Sequence, residues 1–147
     1  MCAFPEKQED GWLLSTDKNK LNLSAIHQFL SVESYWAKGV PLATVQKSIE
    51  HSICLGAYHT DQGLAGFGRL ITDRATFAYL CDVFVLTPFR GKGLGKLMMN
   101  YFCEMADDFG LRRFILTTQD AHSFYRESGF EPFPWPERLM SRTAIST

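Results

Sequence analysis

Apolar residues recur along this chain with two different periods, and the changes of period outline its elements. The first ten residues are polar and are expected to be loose. Trp12 to Ser15 has the character of a short strand. Ile26, Phe29, Leu30 and Val32 then fall on one face of a helix, for which Asn22 and Ser24 are both suitable caps. Glu33 to Pro41 is turn-like and carries Tyr35 and Trp36 in a loop. Pro41 opens a second short helix that runs to about Ser52, with Leu42, Val45 and Ile49 at helical spacing.

The middle of the chain reads as strands. Ile53 to Tyr58 and Leu64 to Ile71 flank a hairpin loop at His59 to Gly63, and Thr72 to Arg74 makes the next turn. Thr76 to Leu86 is nearly all apolar, the pattern of a strand buried on both faces, and Asp82 is its only charge. Helical spacing then returns from about Gly93 to Phe109. Leu94, Leu97, Met98, Tyr101, Phe102 and Met105 form a continuous stripe, and Gly110 follows as a stop. Phe114 to Thr117 is a short strand. Asp120 is placed to cap a two-turn helix closed by Gly129. Pro132, Pro134 and Pro136 around Trp135 predict a last strand that is short or irregular.

Composition narrows the class. A chain of 147 residues, 46% hydrophobic and 21% charged, fits a single globular domain of mixed α/β character. A net charge of -1 argues against binding nucleic acid through bulk charge. Cys2, Cys54, Cys81 and Cys103 lie far apart without a CxxC pair, so free thiols are expected rather than a zinc site or a disulfide framework. Met1 to Lys7 has no basic-then-apolar leader pattern and no apolar run approaches membrane length, so a cytoplasmic protein without a membrane partner is expected. No metal is implied.

Charge is uneven locally. Between Val83 and Cys103 stand Arg90, Lys92 and Lys96 and no acid. The same stretch holds Gly91, Gly93 and Gly95 between an apolar strand and an amphipathic helix. Glycines there let backbone N–H groups converge into an anion-binding concavity, and the helix N-terminus adds about half a positive charge. A diphosphate is the natural ligand. A Walker loop is excluded, because Arg90 stands where its first glycine should be and Leu97 where its Ser/Thr should be. A dinucleotide fingerprint fits poorly, since the spacing is GxGxG and two hairpin-like strands precede it.

Arg90-x-x-Gly93-x-Gly95, following a long strand that ends in Val85-Leu-Thr-Pro88, resembles the coenzyme A loop of the GNAT superfamily of acetyltransferases. Downstream, Ala121-His-Ser-Phe-Tyr-Arg-Glu-Ser-Gly-Phe130 resembles the family's Ala-x-x-x-Tyr-x-x-x-Gly-Phe helix. The two motifs stand in the family's order and cover roughly residues 76 to 131. The resemblance implies a mixed, mostly antiparallel sheet flanked by helices and splayed at the strand before the loop. Acetyl-CoA would enter that split as co-substrate. Val83, Phe84, Val85, Arg90, Gly91, Lys92, Gly93, Leu94 and Gly95 would hold it, with Thr118 and Ser123 from further along. Thr118 stands where the family often has Asn, and the proline-rich tail departs from the usual final strands.

The implied reaction is transfer of an acetyl group to a small-molecule or peptide amine. Tyr125 is expected to meet the departing sulfur. Asp82 and His122 are rival candidates for the base, with a structural pairing of Asp82 to Arg69 or Arg74 as an equal alternative and a solvent-facing His122 the simpler reading. Tyr35 and Trp36 either line the acceptor site or fold onto the core. A non-catalytic acyl-CoA-binding or sensing domain and a nucleotide-binding protein are the competing functions. A homodimer is a common outcome for domains of this kind.

Overall fold

Asp10 and Gly11, both with positive φ (53° and 85°), turn the chain between β1 (Lys7–Glu9) and β2 (Trp12–Ser15). Asp-Gly is a strong two-residue hairpin signal, because the mirror-image turn needs positive φ at both positions. In this computed structural model, which describes residues 3–142, the start of the chain is therefore ordered earlier than its polarity predicts. Tyr101 donates from its hydroxyl to the carbonyls of Phe4 and Pro5, and the Phe4 ring meets it edge-on at 5.3 Å. Lys7 adds an exposed ion pair with Glu104 at 2.7 Å.

The chain divides into two compact units, one ending at Thr117 and one starting at Thr118. The first holds α1 (Leu23–Gln28), α2 (Leu42–Glu50), β3 (Ile53–His59), β4 (Gly63–Thr72), β5 (Phe77–Val85), α3 (Leu94–Phe109) and β6 (Arg113–Leu116). The six strands form one sheet in chain order, antiparallel throughout except for the parallel pair β5–β6. This is the mixed, mostly antiparallel sheet that the sequence predicts.

Asn22 rather than Ser24 caps α1, accepting from the Ala25 amide at 3.1 Å. The chain then widens into a π-turn over Phe29–Glu33, closed by Ser34 N–H donating to Phe29 O at 2.9 Å. An extra residue per turn rotates the face, so Phe29 and Leu30 are buried while Val32, expected beside them, is exposed. In α2, Val45 is buried and Ile49 packs on the core, but Leu42 in the first turn is exposed. Beneath these helices Phe29, Leu30 and Val45 pack with Cys54, Phe67 and Phe84 of the sheet.

The other sheet face takes α3. Its stripe is buried through Leu94, Met98, Tyr101, Phe102 and Met105, with Met99 and Ala106 widening it. Close approach is possible because two β4 residues lack side chains. A Cβ at Gly66 would lie 2.8 Å from Met98 Sδ, and one at Gly68 would lie 2.7 Å from the Phe102 ring. Gly68→Ala should therefore force Phe102 aside and lower stability by about 1–3 kcal/mol, the usual cost of overpacking. Urea unfolding would read this as a lower midpoint with an unchanged slope.

The β4–β5 turn is held by Asp73. One carboxylate oxygen accepts from the amides of Ala75 (2.9 Å) and Thr76 (2.8 Å), and the other takes the Thr76 hydroxyl at 2.6 Å. The Thr76 hydroxyl, then these amides, hold the Asp73 carboxyl well below its ordinary value of 3.8. A depressed folded-state value contributes stability above the unfolded value and loses it as pH falls. Asp73→Asn should therefore be less stable than the parent at neutral pH, with the gap in Tm closing as pH drops below 3.8.

Two expectations need correction here. β5 is not buried on both faces; Ala78, Leu80 and Phe84 are buried, but Tyr79, Cys81, Val83 and Val85 are only partly covered. Its far edge loses its neighbour halfway, and a bulge at Asp82 breaks the alternation. The short strand near residue 114 runs over Arg113–Leu116, one residue earlier than predicted.

The second unit holds α4 (His122–Arg126) and a 3-10 turn at Pro136–Arg138. Asp120 does not cap α4. No side chain caps it; Thr118 Oγ1 accepts from the amide of Ala121, the residue before the helix, at 3.0 Å, and the helix is shorter than two turns, reaching Gly129 (φ 92°) through a turn. Among the described residues after Phe130 there is no strand, where the prolines predict a short or irregular one.

Candidate active site

β6 pairs with β5 only from Phe77 to Leu80, opposite Arg113 to Leu116. Beyond Leu80, β5 runs on to Val85 with one edge open. Hydrogen bonding alternates along an antiparallel strand. The Leu86 amide donates to Ala65 O at 2.8 Å on the β4 side, so the N–H and C=O of Val85 face the open edge. Arg90 confirms the direction by donating from Nε to Val85 O at 2.9 Å. The splay that the sequence predicts is thus a strand edge at which the Val85 N–H points away from the sheet.

At the end of β5 a 3-10 turn (Thr87–Phe89) buries Phe89 against Trp12 (5.8 Å, edge-on) and His59 (6.0 Å, stacked). That anchor fixes where the loop begins. Gly91 (φ 76°) and Gly93 (φ 80°) are left-handed, a conformation costly for any residue with a Cβ. Gly95 is not; it sits inside the first turn of α3, so only two of the three glycines shape the concavity. Gly93 is the N-cap of α3 and no side chain caps it. The first helical bond runs from Leu97 N–H to Gly93 O, which leaves the amides of Leu94, Gly95 and Lys96 directed outward. Arg90, Lys92 and Lys96 are exposed around them, and Leu94 is buried beneath.

On the face covered by α1 and α2, Asp82 and Val83 together oppose Gly68: Arg69 pairs with Cys81 and Phe67 with Phe84. This is a β-bulge, and Asp82 takes φ 54° within it. Its Oδ2 accepts from Arg69 Nε at 2.9 Å and its Oδ1 from Trp36 Nε1 at 2.8 Å. Arg69 continues to Ser52 Oγ at 3.0 Å. Asp82 is therefore a held carboxylate rather than an open base. Trp36 and Tyr35 meet edge-on at 5.1 Å, and both remain substantially exposed, at 43% and 51%. Arg74, the other candidate partner of Asp82, lies in the β4–β5 turn, where its amide donates to Thr72 Oγ1 at 2.9 Å.

Sequence reasoning missed Ser52 and the bulge. The available signal was Gly68, an isolated glycine inside a strand and opposite the only charge of the next strand.

In the second unit, Tyr125 is half-buried on α4, edge-on to Phe124 (5.0 Å) and to Phe130 (6.1 Å). Phe130 N–H donates to Tyr125 O at 3.2 Å, so the Gly129-Phe130 end of the motif folds back on the helix. His122 and Ser123 are exposed in its first turn, and Thr118 Oγ1 accepts from the Ala121 amide just before the helix.

Burial pushes the Cys54 thiol up to about 12 and the Cys81 thiol up to about 11. Neither is a nucleophile at neutral pH. Cys2 lies outside the described residues.

Comparison with known proteins gives a consistent result. Residues 23–130 match the model of the acetyltransferase (GNAT) family. A Gibberella zeae protein bearing an acetyltransferase name is 30% identical, over 83% of this chain and 80% of its own. The crystal structure of a GNAT-family protein from Xanthomonas campestris pv. campestris is 44% identical, with a TM-score of 0.87 over 93% of this chain and 96% of that one. Glucosamine-6-phosphate N-acetyltransferase from Arabidopsis thaliana shares the fold at 18% identity, with a TM-score of 0.65 over 90% of this chain and 97% of that one.

Proposed function

The chain belongs to the acetyltransferase (GNAT) family, and from that premise we propose that it transfers an acetyl group from acetyl-CoA to a primary amine by direct attack. The observation that carries this is the junction of β5 and α3. There two left-handed glycines and an uncapped helix of 16 residues stand directly after a strand edge that has lost its neighbour. The outward amides of Leu94, Gly95 and Lys96 suit a diphosphate, and Arg90 and Lys92 supply charge. The open edge at Val83 to Val85 suits the amide-bearing arm of the cofactor. Thr118 and Ser123 are assigned to its further contacts.

The chemistry needs three services. A lysine-like amine has a pKa near 10.4, so deprotonating it at pH 7 costs roughly 4–5 kcal/mol. With both Asp82 oxygens engaged, that proton goes to water or to His122, which keeps an exposed imidazole. The amine nitrogen attacks the thioester carbonyl, and the β5 amide at Val85 receives the developing oxyanion. Collapse breaks the C–S bond. The Tyr125 hydroxyl then donates to the leaving sulfur; full proton transfer from a phenol to a thiolate is uphill by about 2 kcal/mol, so a strong hydrogen bond suffices.

The test is release of free CoA thiol from acetyl-CoA in the presence of a panel of primary amines. Turnover on at least one amine is expected. Tight acetyl-CoA binding without turnover on any of them would instead mark a non-catalytic binding domain.

A further inference from the structure

The turn that leads into β5, at the opposite end of that strand from the glycine-rich loop, borders a cavity of about 320 Å³. Its other walls are the end of β2, a 3-10 turn at Lys18–Lys20 and the residues between α2 and β3. That volume stands at the low end of the range for ligand pockets and suits a small molecule.

Two hydroxyls belong to the lining. Thr16, only 4% exposed, accepts from the Ala3 amide at 2.9 Å, and half-buried Ser52 accepts from Arg69 Nη1 at 3.0 Å. Each spends a lone pair in this way, and neither hydroxyl donates to another of the described residues. A hydroxyl carries one donor, so two covered donors are left for whatever enters. Lys18 and Arg74 bring charge. Lys18 Nζ gives one of its three N–H bonds to Glu50 O at 3.1 Å. The Arg74 guanidinium makes no ion pair or hydrogen bond among the described residues. Its backbone is nonetheless fixed, at φ 64° in the turn that Asp73 braces. A non-glycine residue keeps that conformation only where its surroundings over-determine it. Asp17 is the acid of the lining, and one of its oxygens accepts from the Asn19 amide at 3.0 Å.

We infer that this cavity binds a small monocarboxylate, held by Lys18 and Arg74 together with the hydroxyls of Thr16 and Ser52. A carboxylate only accepts, and its roughly four lone-pair sites match these four donors. Its plane also fits the guanidinium fork. Asp17 sets the charge of the ligand. Two cations less one carboxylate leave one positive charge in the lining, which a monoanion neutralises. A dianion costs more to dehydrate, because that cost grows with the square of its charge while the attraction grows in proportion. Ser52 joins the cavity to the rest of the fold. Its oxygen holds Arg69, and Arg69 holds Asp82 at the β5 bulge. A ligand that accepts from the Ser52 hydroxyl polarises it and strengthens its hold on Arg69, since hydrogen bonds in a chain reinforce one another.

The experiment titrates sodium propionate into the isotope-labelled full chain and follows its N–H resonances. Saturable shifts are expected at the amides of Lys18, Ser52 and Arg74 and at the Arg69 Nε–H, with Kd on the order of 1 mM for so small a ligand. Arg74→Gln and Lys18→Gln should each weaken binding about fivefold, the worth of one solvent-screened charge contact. Both residues are exposed, so the fold should be kept, and affinity for acetyl-CoA should not change. Ser52→Ala should silence the Arg69 response. Sodium sulfate should bind more weakly than propionate, and propylamine should not bind. A Kd unaltered in both Arg74→Gln and Lys18→Gln would overturn the inference. So would shifts confined to residues 90–96, which would put the anion at the glycine-rich loop, or sulfate binding as tightly as propionate.

Discussion

Gly93→Val is expected to weaken acetyl-CoA binding by about 100-fold or more, the largest loss from any single loop change. At φ 80° a β-branched residue strains the backbone by roughly 1–2 kcal/mol. It would also hang a side chain over the amides of Leu94 to Lys96. Each charge-assisted hydrogen bond lost there is worth about 1.5–3 kcal/mol. Strain plus one lost contact gives on the order of 3 kcal/mol, which is a hundredfold in affinity. The space around Gly93 is open, with nothing within 4 Å of a Cβ built there, so the effect does not come from a core clash. The fold should therefore survive with a Tm lower by a few degrees. Isothermal titration with acetyl-CoA measures the affinity and circular dichroism the fold. Unaltered affinity in a folded Gly93→Val protein would move the diphosphate site elsewhere.

Tyr125→Phe should lower kcat by about 10²–10³-fold, the range for a positioned acid. The change removes one oxygen and keeps the ring that meets Phe124 and Phe130 edge-on, so stability should hardly move. KM for acetyl-CoA should stay within about threefold, because a hydrogen bond made only as sulfur departs contributes to the transition state and not to binding. Steady-state rates on the best amine of the panel decide it. Parental kcat would mean that water or the departing thiol's own solvation meets the charge.

The conformation of the glycine-rich loop was legible because its constraints are local. Glycine at positive φ, a helix stripe at 3.6-residue period and a cluster of cations all lie within a few residues of one another. The helix stop at Gly110 was legible for the same reason. Asp82 shows where that stops. Its partners stand 13 and 46 residues away, and no periodicity announces that an indole will find a carboxylate across the fold. The even weighing of base against ion pair was all that the residue types allowed. The side-chain bracing is what favours the ion pair.

Other misses came from competition between adjacent signals. Asp120 was expected to cap α4, but the helix starts one residue later, after Ala121, and no side chain caps it. Val32 had the right spacing for a regular helix, but the π-turn rotated it outward. The strand β1 was overlooked although Asp10-Gly11 marks its hairpin, because three polar residues at a sheet edge carry no alternation.

The central claim is that backbone amides at the β5–α3 junction clasp the diphosphate of acetyl-CoA. Calorimetric titration of the full chain with acetyl-CoA tests it most directly. One saturable site per chain is expected, with Kd between about 1 μM and 1 mM, the span of ordinary substrate constants, and with ATP or NAD failing to compete. No heat at millimolar acetyl-CoA, or equal displacement by either nucleotide, would contradict it.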